Sequence, residues 1–206
     1  MDLSIQKLSK SFNQKILFRD LTFDIKSGTH FAVTGSNGAG KSTLLKILSG
    51  GALPTSGKVE YKLGGKQISD DQIFHHVHFV APYNTVIEEL TVRELFDLHQ
   101  QLGLLKNHSS FSVWFKMLDY PYMPDQQIKM FSSGMKQRLK LGISLLDERP
   151  LILLDEPGSN LDLQGKTWLA SLIRNLTSLQ TLVIATNDER EIEYCQNRIE
   201  LSNTRE

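Results

Sequence analysis

The residues most able to do chemistry form a short glycine-rich segment that ends in a lysine and a serine. Residues 35–42 read Gly-Ser-Asn-Gly-Ala-Gly-Lys-Ser and match the pattern G-x-x-x-x-G-K-[ST]. Glycines let a backbone turn tightly, so that successive N–H groups point inward at an anion. Lys41 adds a full positive charge for the β- and γ-phosphates, and the Ser42 hydroxyl can ligate Mg²⁺. The segment therefore predicts a loop that binds the phosphates of a nucleotide.

This loop lies between a predicted strand and a predicted helix. Phe31–Thr34 is dense in apolar residues and leads into the glycines, whereas residues 42–49 carry apolar residues at helical spacing. The helix would present its N-terminal N–H groups to a bound anion. We therefore expect the loop and the first helical turn to hold the nucleotide through Gly35, Ser36, Asn37, Gly38, Ala39, Gly40, Lys41, Ser42 and Thr43.

Two adjacent carboxylates follow a second apolar strand. Leu151–Leu154 has the composition of a buried strand and leads into Asp155 and Glu156. Ligands of open parallel sheets gather at the carboxyl ends of the strands. Asp155 can hold Mg²⁺ directly or through its water, and Glu156 can polarise the attacking water as a general base. Alone, this pattern fits a surface turn as well, but beside a phosphate-binding loop it predicts a metal ligand and a catalytic base.

Length and composition are those of one ordinary globular domain. The chain has 206 residues, of which 40% are apolar and 22% are charged, and its net charge is zero. This balance argues against nucleic-acid binding. A single cysteine, Cys195, excludes an internal disulfide and fits a reducing compartment. No apolar run approaches the roughly 18 residues of a membrane helix, so we expect the chain to work at a membrane only by docking onto a partner.

The elements that position these motifs alternate between strand and helix. Residues 1–34 and 55–80 show the apolar–polar alternation typical of strands, and residues 84–142 are mostly helical. Helices are expected at 91–105, 111–118, 167–176 and 189–194, and later strands at 151–154 and 181–185. Strands that alternate with helices predict an α/β fold with a parallel sheet covered by helices.

Residues 131–138 add a more specific motif, Phe-Ser-Ser-Gly-Met-Lys-Gln-Arg. It resembles the signature of ABC transporter nucleotide-binding subunits, usually Leu-Ser-Gly-Gly-Gln, with its trailing Gln-Arg. Ser132 and Gly134 keep their places, whereas Ser133 replaces the usual glycine and Met135 the usual glutamine. The signature is the feature that separates this family from other P-loop proteins.

Further segments extend the resemblance over essentially the whole chain. Asp155-Glu156 resembles the end of the family's Walker B strand, and the signature serine precedes Asp155 by 23 residues, as in the family. Leu161-Asp162 resembles the D-loop. Phe12 stands where an aromatic side chain normally stacks on adenine.

The resemblance implies a fold and two cofactors. The fold is α/β: a P-loop NTPase (RecA-like) core with a parallel central sheet, N-terminal antiparallel strands and a helical ABC subdomain. Residues 1–206 would form a single ABC ATPase domain, with the nucleotide-binding core in 1–83 and 143–206 and the helical subdomain with the signature in 84–142. The expected cofactors are ATP and Mg²⁺.

The resemblance also implies partners and a cellular place. Two such domains, identical or different, would pair head to tail, and Ser132, Ser133 and Gly134 of one would bind the γ-phosphate held by the other. Closure and hydrolysis to ADP and phosphate would drive a separate membrane-spanning permease. The expected location is cytoplasmic, at the inner face of the cell membrane through that permease, with no nucleic-acid partner.

Two positions depart from the family pattern. Alignment on Leu-Thr-Val-Arg-Glu at 90–94 places Pro82 where the family's Q-loop has a glutamine, and Asn187 stands where its switch histidine is usual. An asparagine amide can still donate to a γ-phosphate oxygen, although it cannot carry charge near neutral pH. Our hypothesis is reduced but real hydrolysis, with Lys41, Glu156 and Asn187 as catalytic residues. The rival hypothesis is a site that only binds ATP.

Alternatives to a transport motor remain open at the level of sequence. A soluble ABC ATPase is one, and a regulatory subunit with weak or no hydrolysis is another. The aromatic residues Phe111, Trp114 and Phe115 are by default core of the helical part, but they also fit a docking surface for a membrane partner. Residues 83–90 and 100–120 are the candidate docking segments.

Overall fold

The structure, a computed structural model, describes residues 1–13, 15–105, 110–119, 123–146, 149–176 and 180–202. Its contacts divide the chain into two compact units. The first unit comprises Met1–Phe79, Arg149–Glu156 and Thr177–Glu206, and the second comprises Val80–Glu148 and Pro157–Leu176. The division predicted from sequence, with a helical part at residues 84–142, stays a prediction.

The described strands and helices are as follows. The strands are β1 (Asp2–Phe12), β2 (Lys15–Ile25), β3 (His30–Gly35), β4 (Ser56–Leu63), β5 (Lys66–Ile68), β6 (Val77–Val80), β7 (Leu151–Asp155), β8 (Thr181–Ala185) and β9 (Asn197–Leu201). The helices are α1 (Lys41–Leu48), α2 (Val92–Gln101), α3 (Phe111–Met117), α4 (Ser133–Leu146), α5 (Leu163–Arg174) and α6 (Glu189–Ile192). Short 3₁₀ turns lie at Ile73–His75 and Ile128–Met130.

The strands form two sheets, and the predicted α/β fold is confirmed. The antiparallel sheet has the order β2-β1-β4-β5, and the second sheet has the order β6-β7-β8-β3-β9. In the second sheet β7, β8, β3 and β9 run parallel. The carboxyl ends of β3, β7 and β8 therefore lie side by side at one edge, where ligands of such sheets bind.

Helix α1 is buried against the parallel sheet. Leu44, Leu45 and Leu48 are fully buried and belong to one core with Leu153 and Val183 of the central strands. Apolar burial of this kind stabilises the folded state by about 1.5–3 kcal/mol for each such side chain. The first turn of α1, which follows the glycine-rich loop, is thereby held at the edge of the sheet.

The second unit has its own aromatic core. Trp114 and Phe115 are buried, and the Trp114 Nε1–H donates to the Gly142 carbonyl of α4 at 3.0 Å. Phe111 is half-buried, with its ring stacked on that of Phe115 at a centroid distance of 5.4 Å. The core interpretation of Trp114 and Phe115 is therefore confirmed.

Among the described residues, no helix combines the length and the apolar character that crossing a membrane requires.

Helix boundaries differ from the sequence expectation where a cap decides them. Helix α5 begins at Leu163 rather than at 167, because the Asp162 carboxylate accepts the Gly165 N–H at 2.7 Å and caps the helix. Helix α2 ends at Gln101 rather than at 105, since Gly103 follows at φ 66° and turns the chain. Strand β9 was not predicted, although its apolar and polar residues alternate in part.

Candidate nucleotide-binding site

The glycine-rich loop connects β3 directly to α1. Gly35 has φ 140° and Gly38 has φ 82°, a backbone region that residues with a Cβ rarely adopt. A Cβ on Gly35 would also collide with the Leu201 carbonyl oxygen of β9, whereas a Cβ on Gly38 would meet no atom within 4 Å. Gly35 is therefore required by both space and conformation, and Gly38 by conformation alone.

Lys41 folds back over this loop. Its Nζ donates to the Gly35 carbonyl at 2.8 Å and to the Ser36 carbonyl at 3.5 Å, and the residue is 5% exposed. The N-cap of α1 is Gly40, and no side chain caps the helix. The N–H groups of the first turn therefore remain for an anion, with the ammonium of Lys41 beside them.

Asp155 ends β7 as a buried carboxylate beside Ser42. Burial raises the pKa of Asp155, whereas a hydrogen bond from Ser42 and the charge of Lys41 act in the opposite direction. One carboxylate oxygen, Oδ1, is buried without a hydrogen-bond partner among the described residues. An orphaned oxygen next to a serine hydroxyl fits Mg²⁺, which typically takes one or two carboxylates and completes its shell with water and phosphate oxygens.

Glu156 is exposed directly after this strand. Its backbone N–H donates to the Ala185 carbonyl of β8 at 2.8 Å, and its φ is 45°, in the left-handed region. That conformation costs a residue with a side chain about 1–2 kcal/mol. Glu156 lines the same cavity as Lys41.

One cavity of the first unit collects most of the predicted nucleotide-binding residues. Its volume of about 570 Å³ lies within the range of small-molecule sites. It is lined by Phe12, Lys15, Leu17, Asn37, Gly38, Gly40, Lys41, Ser42, Thr43 and Glu156. Sequence reasoning missed Lys15 and Leu17, which β2 brings back beside Phe12. The signal was the hairpin itself, in which Phe12 pairs with Lys15.

Asn187 follows β8, and its side chain meets the phosphate-binding loop. Its Nδ2 donates to Oδ1 of Asn37 at 3.3 Å. Thr186, the residue before it, donates its N–H to the Val33 carbonyl of β3, which fixes the start of this segment. Asn187 therefore contacts a residue that lines the cavity, Asn37, and its own role stays a prediction.

Pro82 lies at an exposed turn after β6. The Asn84 N–H closes that turn on the Ala81 carbonyl at 3.0 Å, and Lys140 of α4 donates to the Asn84 carbonyl at 3.2 Å. Proline supplies no side-chain hydrogen-bonding group here.

The signature residues lie in a second cavity, which belongs to the second unit. Ser132, Ser133 and Gly134 line a cavity of about 500 Å³ together with Asn160 and other residues of the D-loop-like segment. The Ser132 hydroxyl accepts the Met135 N–H at 3.2 Å at the start of α4. A Cβ on Gly134 would stand 3.0 Å from the Asn160 carbonyl, so a side chain there would crowd that segment. Most of the predicted residues thus line one of two cavities, one in each unit. The predicted residues that line neither cavity are Gly35, Ser36, Ala39, Asp155 and Asn187.

The phosphate-binding loop, the paired carboxylates and the parallel sheet define a P-loop nucleotide-binding protein. Residues 18–159 match the family model described as ABC transporter, and the chain belongs to that family. Proteins of this family bind ATP, and hydrolysis of ATP is characteristic of the family. The family membership inferred from the signature and the Walker B segment is thereby confirmed.

Relatives match nearly the whole chain. It is 29% identical over 198 residues to the lantibiotic transport ATP-binding protein SrtF of Streptococcus pyogenes, covering 93% of this chain and 82% of that protein. It is 30% identical over 195 residues to the uncharacterized ABC transporter ATP-binding protein YcbN of Bacillus subtilis, covering 93% of this chain and 63% of that one. The match to ABC transporter A family member 8 of Dictyostelium discoideum, 29% identical over 210 residues, covers 97% of this chain and 25% of that protein. The chain thus spans less than two thirds of the length of YcbN and of the Dictyostelium protein.

Solved structures share the fold. A dimeric ATP-binding cassette in a post-hydrolysis state bound to ADP and Pi superposes with a TM-score of 0.81 at 21% identity. The match covers 98% of this chain and 97% of that one. At 21% identity this similarity shows that the two proteins share a fold.

Proposed function

We propose that this chain is the ATP-hydrolysing subunit of a transporter, and that it couples closure of a cassette dimer to substrate movement through a separate membrane permease. The observation that carries the proposal is the cavity that unites Phe12, the phosphate-binding loop and Glu156. SrtF, whose name assigns it to lantibiotic transport, supports the transport part, because this chain spans 82% of its length.

Binding of the nucleotide follows from the cavity. The base stacks on the exposed ring of Phe12, and the backbone N–H groups of the loop surround the phosphates. Lys41 exchanges its contacts to loop carbonyls for phosphate oxygens, which the charge attraction favours. Ser42 and Asp155 would hold Mg²⁺, which when bound neutralises negative charge on the β- and γ-phosphates.

Hydrolysis needs one attacking water and one base. The oxygen of the water attacks the γ-phosphorus while the Glu156 carboxylate accepts a proton from that water. The bond between the γ-phosphorus and the β–γ bridging oxygen breaks. ADP and inorganic phosphate are the products. Asn187 turns its amide from Asn37 to a γ-phosphate oxygen and stabilises the charge there.

The signature cavity implies a second cassette. Ser132, Ser133 and Gly134 present a hydroxyl and the N-terminus of α4, which together suit a phosphate supplied from outside the unit. Two copies, or this chain and a related one, would then close on two ATP molecules. The permease would dock on exposed apolar residues of the second unit: Tyr83, Ile87, Leu102 and Val113 are each at least half exposed and lie in the predicted docking segments.

Turnover is expected to be slow, because Pro82 and Asn187 replace groups that would contact the attacking water and the γ-phosphate. The same two departures favour a second candidate function, a regulatory cassette that binds ATP without turnover. Glu156 favours the first candidate, since a site relieved of hydrolysis has little use for a base.

The decisive experiment compares wild type with Glu156→Gln, which removes the base and keeps the shape. We expect phosphate release from wild type only, and an ATP-dependent dimer of the variant by light scattering in Mg-ATP. If the wild type released no phosphate, the hydrolysing function would be excluded and the regulatory cassette would be the remaining candidate. A variant that binds ATP and stays monomeric would contradict pairing of this chain with itself.

Coupling to a permease has its own test. We expect the tagged chain to purify from detergent-solubilised membranes with a membrane-spanning protein. Exchange of Tyr83 and Ile87 for serine should abolish that association and leave ATP binding unchanged. Recovery of wild type without any membrane-spanning protein would contradict the transport function.

A further inference from the structure

Phe12 is placed at a site where a ring would normally be mobile. It is the last residue of β1, it is 55% exposed, and the hairpin turns at Asn13 with φ 52°. An exposed ring at the end of a strand loses side-chain entropy when a ligand fixes it. A contact that fixes the ring beforehand would therefore increase affinity for the ligand.

Lys10 supplies such a contact. Its Nζ lies over the Phe12 ring, 4.7 Å from the centroid, and donates to the Leu53 carbonyl at 2.8 Å. The ammonium is thus held between the ring and the backbone that follows α1. Phe12 lines the nucleotide cavity, whereas the described residues that line it do not include Lys10.

The backbone beyond Leu53 is itself joined to β1. The Thr55 N–H donates to the Ser9 carbonyl at 2.8 Å, and the Ser11 N–H donates to the Thr55 hydroxyl at 3.0 Å. These bonds lie on either side of Lys10 in the sequence. The Leu53 carbonyl is therefore a fixed acceptor, and it sets the position of the ammonium relative to the ring.

We propose that Lys10 is a positioning residue for the nucleobase: it holds one face of Phe12 so that the opposite face is presented to the base of the nucleotide. This inference rests on the proposed role of Phe12 as the base platform. The cation also draws the π-electrons of the ring towards itself, which makes the opposite face a better partner for an electron-rich purine.

The test separates contact through the ring from simple charge attraction. Lys10→Met keeps the length of the side chain and removes the cation, and Lys10→Arg keeps a cation. Calorimetry would measure the affinity of each variant for MgADP, which carries a base, and for magnesium pyrophosphate, which does not. Lys66→Met, an exposed lysine of β5, is the control for the same change in net charge.

We expect Lys10→Met to bind MgADP about two- to fivefold more weakly, the size of an exposed cation–π contact, and to bind pyrophosphate like wild type. The KM for ATP should rise with it, Lys10→Arg should restore both values, and Lys66→Met should resemble wild type. Thermal melting of each variant checks that the fold is retained.

Two outcomes would overturn the proposal. Equal weakening of MgADP and pyrophosphate would mean that Lys10 acts only through its charge. Unchanged MgADP affinity in Lys10→Met, with weakened affinity in Phe12→Ala, would reject the positioning role of Lys10 and retain Phe12 as the ring on which the base stacks. If Phe12→Ala also bound MgADP like wild type, the platform itself would be wrong, which is a failure of the proposed function.

Discussion

The side-chain amide of Asn187 donates a hydrogen bond to Oδ1 of Asn37 across 3.3 Å, and it thereby joins the segment after β8 to the phosphate-binding loop. The two residues are 150 positions apart in the chain. A histidine is usual at position 187 in the family. In this chain the Asn187 amide bonds to Asn37, and in the proposed mechanism it exchanges that bond for one to a γ-phosphate oxygen.

Asn187→Ala should lower the turnover of ATP about 10- to 100-fold, because a hydrogen bond to a charged group contributes about 1.5–3 kcal/mol. Asn187→His should keep or raise it, since imidazole can donate in the same place. Phosphate release at saturating Mg-ATP measures both, with Asn197→Ala on β9 as the control amide. Turnover unchanged in both variants would exclude the contact to the γ-phosphate.

Glu156 holds a left-handed backbone conformation, and its replacement should reveal the strain. Glu156→Gly should unfold at higher urea concentration than Glu156→Ala, with a free energy of unfolding greater by roughly 1 kcal/mol, because only alanine retains a Cβ. Both variants should lose hydrolysis. Equal stabilities would indicate that the backbone at this position relaxes.

Gly38 and Gly64 provide a matched pair of glycines. Each has a positive φ, 82° and 57°, and neither has an atom within 4 Å of an added Cβ. Replacement by alanine should therefore cost each a similar 1–2 kcal/mol, roughly the penalty of the left-handed region. Only Gly38→Ala should weaken ATP binding, measured by calorimetry, because Gly64 lies in the turn between β4 and β5. Equal ATP affinities of the two variants would contradict the role of the loop.

Cys195 should react slowly in the folded protein. Burial, aided by the nearby Glu191 carboxylate, raises the pKa of its thiol to about 12, so the reactive thiolate is scarce at pH 8. Iodoacetamide should modify it much faster in urea than in buffer, as followed by mass spectrometry.

The raised pKa of Cys195 also predicts the direction in which the stability of the fold changes with pH. Between the two pKa values the folded thiol keeps its proton, whereas the unfolded thiol loses it. The contribution of Cys195 to the free energy of unfolding is therefore complete below about pH 8 and falls as the pH rises towards 12. Cys195→Ser should reduce that part of the alkaline loss in urea unfolding between pH 8 and 11. Rapid alkylation of the folded protein at pH 8 would contradict the raised pKa of the partly buried thiol.

The phosphate-binding loop could be predicted because its signal is local. Glycines at fixed offsets, an apolar strand before them and a helix after them specify the backbone within about a dozen residues. The structure has the helix at Lys41–Leu48, one residue from the predicted bounds. The caps of α5 and α2 are equally local, and their signals, Asp162 and Gly103, were present but not used.

Neighbours that are distant in sequence could not be predicted in the same way. Lys10 and Phe12 are two residues apart on β1, a spacing that places side chains on the same face of a strand. The bond from Lys10 to the Leu53 carbonyl, 43 positions away, has no such local signal. The contact of Asn37 with Asn187 depends on the sheet order, in which β3 stands between β8 and β9. That order follows from the packing of the whole sheet.

The sequence by itself determined the family, the α/β fold and the residues able to bind phosphate, since these depend on residue types and spacing that local backbone geometry enforces. Only the tertiary structure decided which of them meet. Ser42 lies beside Asp155, and Lys10 lies between Phe12 and the Leu53 carbonyl, because strand order and hairpin register join segments that the chain keeps apart. Those choices arise from the burial of apolar side chains throughout the core, which no short segment contains.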